Sequence, residues 1–289
     1  MQVVTVDDSC ETSPSLTTWV SNLQLTIEDR RVLTGGKWLT ANHISAASSL
    51  LKQSFPNQNG LCDTTYLAEK LEWPSTPHKF VQIIHVGGCH WACLSNKLIE
   101  NETHVVEHFN SMHTEPGYTI KEQACTILHC DQSLLTIRVV NVQCQQGGDN
   151  CGLFAVAMAF DLCEERDPFL CSYDETLMRS HLEGCFEQEC ITRFPQDEVK
   201  ARRRKRIIKQ VDVELFCICR YPDVDVTSYF GDMACCQRCK LWYHAVCMKH
   251  VHGVIPLNED EMKIKILTVL GDVFKKQSRK WLCSKCANK

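Results

Sequence analysis

The chain has 289 residues, of which 44% are hydrophobic and 23% charged, with a formal net charge of −4. That length favours two domains over one, and the apolar content is enough for ordinary packed cores. The mild charge argues against a dedicated nucleic-acid binder, and no apolar run approaches the roughly 20 residues of a membrane-spanning helix.

In chain order, the opening MQVVTVDDSCETSPS has neither the basic nor the apolar region of a secretory signal. A reducing compartment is therefore expected, and the Asn101-Glu102-Thr103 sequon is expected to carry no glycan. Trp38 and Leu39 lead into a helix with Thr40 or Asn42 as N-cap; Ile44, Ala47, Leu51 and Phe55 recur at helical spacing, and Pro56 ends the run. Strands rich in β-branched or apolar residues are predicted at Phe80–His85, Trp91–Ser95, Val105–Asn110 and Leu134–Val142. A very apolar helix starts within DNCGLFAVAMAFDLC, and an amphipathic one runs from about Asp174 to Phe186 through Met178, Leu182 and Cys185. Seven of the ten residues from Lys200 to Lys209 are basic. These patterns divide the chain into an α+β domain at 1–197, a basic linker at 198–210 and a cysteine-dense segment at 211–289.

Cys151 opens the apolar helix. With Asp149 or Asn150 as cap, its thiol sits in the first turn, where unpaired backbone N–H groups and the helix dipole favour a thiolate. Such surroundings lower a thiol pKa from about 8.5 into the range of roughly 3.5–7.5. Gly147 and Gly148 allow a substrate chain close to the backbone. Gln145, six residues before the cysteine, can serve as an oxyanion donor beside the Cys151 N–H. A nucleophile needs a base and a group to orient it. His90, where a glycine-rich turn becomes a strand, suits the first role, and Asn110, at the end of the next strand, the second. His85, His108, His113 and His129 compete with His90, and periodicity does not separate them. A cysteine beside glycine in an apolar helix is also a common buried hydrophobe.

Four landmarks in order carry a resemblance: Trp38-Leu39 before a helix, His90-Trp91, a strand ending at Asn110, and Gln145-x5-Cys151-Gly152. Together they resemble the ubiquitin-like-protein proteases, which cleave SUMO and its relatives. The resemblance implies a papain-like α+β fold, a catalytic set of His90, Asn110, Gln145 and Cys151, and a substrate tunnel for a diglycine tail roofed by Trp38 and Trp91. It departs from the family at two positions. The third catalytic position, usually aspartate, is Asn110, and the residue before the nucleophile, also usually aspartate, is Asn150. Asparagine orients an imidazole without supplying charge, as in papain-like enzymes.

Cysteine numbers 20 in the chain. The last segment contains Cys217-x-Cys219, Cys236-x2-Cys239, His244-x2-Cys247 and Cys283-x2-Cys286: eight soft ligands, the count for two closed tetrahedral zinc sites. So small a segment needs such staples. A histidine as fifth ligand, with Trp281 two residues before Cys283, resembles a PHD finger more than a RING finger. The resemblance implies interleaved sites, Cys217, Cys219, His244 and Cys247 on one zinc and Cys236, Cys239, Cys283 and Cys286 on the other. It also places Phe216, Met233 and Trp242 at the positions of a methyl-lysine cage, where a methylated histone tail would bind by cation–π contact. Trp242 serves equally well as a folding anchor. The basic run resembles a nuclear import signal and offers the one nucleic-acid-like patch. The main functional expectation is a nuclear thiol protease acting on a SUMO-like modifier. The alternatives are an inactive protease fold serving as scaffold for the PHD module, and a modifier ligase.

Overall fold

The computed structural model describes residues 17–63, 79–88, 90–128, 134–198 and 205–215, together with the backbone of 233–235, 238 and 242–244. The first elements are β1 (Thr18–Val20), β2 (Leu25–Thr26), α1 (Ile27–Thr34), α2 (Ala41–Ser54) and β3 (Asn59–Gly60). β4 (Phe80–His85), β5 (Trp91–Ser95), β6 (Val105–Phe109), α3 (Tyr118–Leu128) and β7 (Leu134–Val140) follow. Next come α4 (Cys151–Cys163), β8 (Cys171–Tyr173), α5 (Glu175–Glu187), β9 (Gln196–Glu198) and β10 (Ile207–Glu214).

A six-stranded mixed sheet of order β10-β7-β6-β5-β4-β3 divides the molecule. The β6–β7 and β3–β4 pairs are parallel and the others antiparallel. All 13 residues of α4 are buried. A helix apolar on every side needs cover on every side. α4 receives it from β4 and β5 on one flank and from α2 and α5 on others. The opposite sheet face is closed by α3, whose Ile120, Ala124 and Ile127 join Leu94, Leu135 and Ile137 in a second core. The fold is thus α+β, with Cys151 beginning the central helix. No helix among the described residues is long and apolar enough to cross a membrane.

Most predicted elements appear within a residue or two of their expected ends, and two helices, α1 and α3, had no forecast. α2 starts after Thr40, whose N–H donates to His43 Nδ1 at 3.1 Å while His43 Nε2 reaches the Asp29 carbonyl at 2.8 Å. The predicted linker differs from the structure. Ile207–Glu214 is not a tether but pairs with β7 along its length, from Ile207↔Val140 to Glu214↔Leu134, as the edge strand of the main sheet. The chain leaves the sheet near residue 215 rather than 198–210. Arg206, counted in the basic run, is bound to buried Glu107 and to Asp167, and Lys209 is bound to Glu115. A run of charge reads as solvated in sequence, but alternation such as Val211, Val213 and Leu215 supplies an apolar face to close the second core.

The cysteine-dense segment is described only as β11 (Met233–Cys235) paired with β12 (Trp242–His244), in register Met233↔His244. The remaining expected zinc ligands and Phe216 lie outside the described residues, and so do the side chains of Met233, Trp242 and His244.

Candidate active site

His90 follows a turn through Gly87 and Gly88, whose φ values of 95° and 57° are in the left-handed region that glycine enters freely. The turn closes through Val86 N–H to the His90 carbonyl at 2.9 Å, and β5 begins at the next residue. Asn110 follows β6 and is fully buried. His90 Nε2 is 2.9 Å from Asn110 Oδ1. That oxygen also accepts from the Met112 N–H at 2.9 Å, and Asn110 Nδ2 donates to Thr114 Oγ1 at 2.7 Å. A backbone partner and a hydroxyl partner therefore settle which end of the amide faces the ring. Oxygen faces it, so Nε2 carries the proton and Nδ1 keeps its lone pair. Nδ1 is buried and has no hydrogen-bond partner among the described residues. Burial holds the His90 pKa below the ordinary histidine value, the Asn110 bond acts the other way, and the charge of His85 adds to the lowering. The ring is a neutral base near pH 7.

Cys151 is the first residue of α4 and is 1% exposed. Asn150 occupies the N-cap position but its side chain makes no cap bond, so the amide groups of the first turn keep their positive end toward the site. The elements that carry Cys151 and His90 are joined through Leu39. Its side chain lies so close to Gly152 that a Cβ there would come within 2.9 Å of it, and its carbonyl accepts the Trp91 indole N–H at 2.9 Å. Leu39 thus touches the neighbour of Cys151 and is bonded to the neighbour of His90. Leu39, Trp91 and Cys151 belong to one core.

Gln145 is tied to the residue after Asn110. Its N–H donates to the Ser111 carbonyl at 3.0 Å, and its Oε1 accepts from Ser111 Oγ at 2.6 Å. The Nε2 donates to the Gly147 carbonyl at 3.1 Å with one of its two hydrogens. Trp38 is half exposed and donates its indole N–H to the Gly148 carbonyl at 3.0 Å. Trp91 is buried against the His85 ring at 4.7 Å. Of the two tryptophans expected to line a tunnel, Trp38 is open and bonded to the glycine pair, and Trp91 lies in the core.

The competing histidines fall into other roles. His85 Nε2 bonds the Gly88 carbonyl. His108 is fully buried, and that burial pulls its pKa down to about 3. His113 Nε2 bonds the Val142 carbonyl, and its Nδ1 is 3.3 Å from the exposed thiol of Cys144. His129 lies outside the described residues. Sequence reasoning missed Ser111, Glu175 and Arg179. The last two, four apart on the polar side of an amphipathic helix, look in sequence like any solvated pair.

No protein-family model matches the sequence, and no curated protein sequence matches it. Solved structures that it resembles include the SUMO protease Ulp1 with its catalytic cysteine oxidised to a sulfinic acid: TM-score 0.46, 15% identity, 61% of this chain and 90% of that one. A second is the C-terminal Ulp1 protease domain in complex with Smt3, the yeast ortholog of SUMO: TM-score 0.47, 15% identity, 60% of this chain and 87% of that one. A third is the Xanthomonas campestris effector XopD bound to ubiquitin: TM-score 0.38, 15% identity, 62% of this chain and all of that one.

Proposed function

We propose that this chain is a cysteine protease that cleaves the peptide or isopeptide bond after the diglycine terminus of a ubiquitin-like modifier, a SUMO-like one in the first instance. The observation that carries the reading is the His90–Asn110 pair, which leaves a basic, buried Nδ1 on the residue that leads into β5, the strand that packs against the helix of Cys151. His90 Nδ1 takes the proton of Cys151 Sγ, and the thiolate adds to the glycine carbonyl. The oxyanion is held by the Cys151 N–H and the free hydrogen of Gln145 Nε2. The imidazolium protonates the leaving amine as the C–N bond breaks. Water, deprotonated by the same ring, then releases the modifier acid and the thiol. Support for a diglycine tail comes from the ordered motifs and from the open space beside Gly147 and Gly148, where a Cβ added to either residue would meet nothing within 4 Å.

The test is a panel of modifier probes bearing C-terminal electrophiles. Wild-type chain forms a covalent adduct with at least one, and Cys151→Ala does not. If no probe reacts while a known protease is labelled, the scaffold reading replaces this one.

The cysteine-dense segment, in the same proposal, is a PHD-type finger whose eight ligands hold two structural zinc ions. Zinc supplies folding energy there and no chemistry. With Phe216, Met233 and Trp242 as cage, it directs the protease to a methylated histone tail in the nucleus. Calorimetry on the full chain reads this: a trimethyl-lysine peptide binds more tightly than its unmodified form, and Trp242→Ala loses the preference.

A further inference from the structure

The segment that presents the nucleophile has almost no packing of its own. Gly147 has a φ of 79°, and both glycines border open space. Besides the Trp38 bond to Gly148 and the Ser111 bonds to Gln145, the segment is tied to one helix face. Glu175, the first residue of α5, accepts the Gln146 N–H with Oε1 and Oε2 at 3.0 and 3.1 Å, and its Oε2 accepts from Asn150 Nδ2 at 3.1 Å. One turn later, Arg179 donates through one terminal nitrogen to the Asp149 carbonyl at 3.1 Å and to Asn150 Oδ1 at 3.0 Å. Through its other terminal nitrogen it donates to the carbonyls of Leu33 and Lys37, at 2.9 and 3.0 Å. One guanidinium therefore joins the nucleophile segment to the turn that carries Trp38 and Leu39.

The pair also accounts for Asn150. Its amide offers a donor to Glu175 and an acceptor to Arg179, so both ends are held. An aspartate there would set one carboxylate against another at hydrogen-bond distance. Arg179 is half-buried. Burial pulls its pKa below the ordinary arginine value, while the charges of Asp149 and of Cys151 act in the opposite sense. The guanidinium stays charged, and it and a Cys151 thiolate stabilise one another.

We propose that Glu175 and Arg179 are positioning residues of the reaction assigned to Cys151. Through Asn150 and the Gln146 N–H they hold the segment between Gln145 and Cys151, and Arg179 supplies a fixed positive charge near the thiolate, so that thiolate formation depends less on an imidazolium that Asn110 leaves without a counter-charge. The proposal rests on the protease reading of Cys151.

The experiment is alkylation of the full chain by iodoacetamide across pH, with the Cys151 peptide followed by mass spectrometry. It is run on wild type, Arg179→Gln, Arg179→Lys, Asn150→Asp, Glu175→Gln and the Asn150→Asp/Glu175→Gln double variant, with a thermal melt of each. In Arg179→Gln the profile moves up by about one pH unit, so that Cys151 reacts about tenfold more slowly at pH values below both midpoints. Arg179→Lys keeps the profile, because the charge remains, but slows modifier-probe labelling, because lysine cannot reach four acceptors. Asn150→Asp slows labelling, and adding Glu175→Gln restores part of it. An unshifted profile in a folded Arg179→Gln overturns the proposal. If Arg179→Gln does not fold, an Asn150→Asp loss that Glu175→Gln leaves unrestored overturns it instead. Iodoacetamide needs no modifier, so the two readings fail separately. An Arg179-dependent profile without probe labelling sinks only the protease reading, and probe labelling with an indifferent profile sinks only this one.

Discussion

His90 and Asn110 are joined at 2.9 Å by an amide whose orientation neither residue chooses. Met112 N–H and Thr114 Oγ1 fix the amide, the amide fixes the imidazole tautomer, and the tautomer leaves Nδ1 as the base. Asn110 thereby orients the His90 ring without supplying charge.

Asn110→Ala lowers turnover of a cleavable modifier substrate at least about tenfold, or about 1.4 kcal/mol, because the ring loses its fixed tautomer. Asn110→Asp retains or raises turnover. Its carboxylate still accepts from Met112 and now accepts from the Thr114 hydroxyl. It also raises the His90 pKa, against the lowering that burial imposes, so the acid limb of kcat/KM, below which the ring is protonated and cannot act as base, moves to higher pH. A rate unchanged in Asn110→Ala removes this residue from the mechanism.

The α+β unit extends through β10. A chain cut after residue 215 folds, whereas one cut after residue 197 lacks the strand paired with β7 and aggregates or melts lower. Within the longer chain, Arg206→Leu costs about 3 kcal/mol in denaturant titration, because it leaves Glu107, 3% exposed, without its cation. Arg206→Leu/Glu107→Leu recovers part of that. Equal midpoints for Arg206→Leu and wild type would show the pair to be idle.

Acid destabilises the fold through its buried histidines. His108 titrates near 3 in the folded chain, against about 6.5 when unfolded. Between those values the unfolded state binds a proton that the folded state refuses. The contribution is therefore full above about pH 6.5 and is lost as pH falls, by up to about 1.4 kcal/mol per unit. His43 and His90, both lowered chiefly by burial, add in the same direction. Urea midpoints at about pH 7 and about pH 5.5 measure it: the drop is smaller in His108→Leu than in wild type. His108→Leu also costs little near pH 7, since neither ring nitrogen has a hydrogen-bond partner among the described residues. An identical drop in both proteins refutes the assignment.

Two zinc ions per chain are expected in residues 211–289. Elemental analysis of chelator-free protein returns two, and a value of one or none contradicts the eight-ligand assignment. Cys239→Ser loses metal and unfolds the finger while probe labelling at Cys151 persists, because domains with separate cores are nearly independent.

Local patterns survive folding where one kind of force decides them. The alternation in β4–β7, the Thr40 boundary and the all-apolar run from Cys151 each follow from burial and period, and each was readable before any tertiary contact was known. The basic run shows the limit. Seven cations in ten residues read as a solvated linker, yet Arg206 is recruited by Glu107, 99 residues away in sequence, and the strand after it closes the sheet.

The sequence by itself determined the α+β class, the cysteine at a helix start and the residue types able to act with it, because helix period, glycine turns and thiol chemistry are properties of short stretches. It left five histidines as candidate bases. Only the tertiary structure separates the described ones, since it shows which ring meets an amide held from two sides. It also placed Glu175 and Arg179 beneath the nucleophile, because a hydrogen bond between residues about 30 positions apart depends on how two elements pack, and neither residue's neighbours in sequence record that.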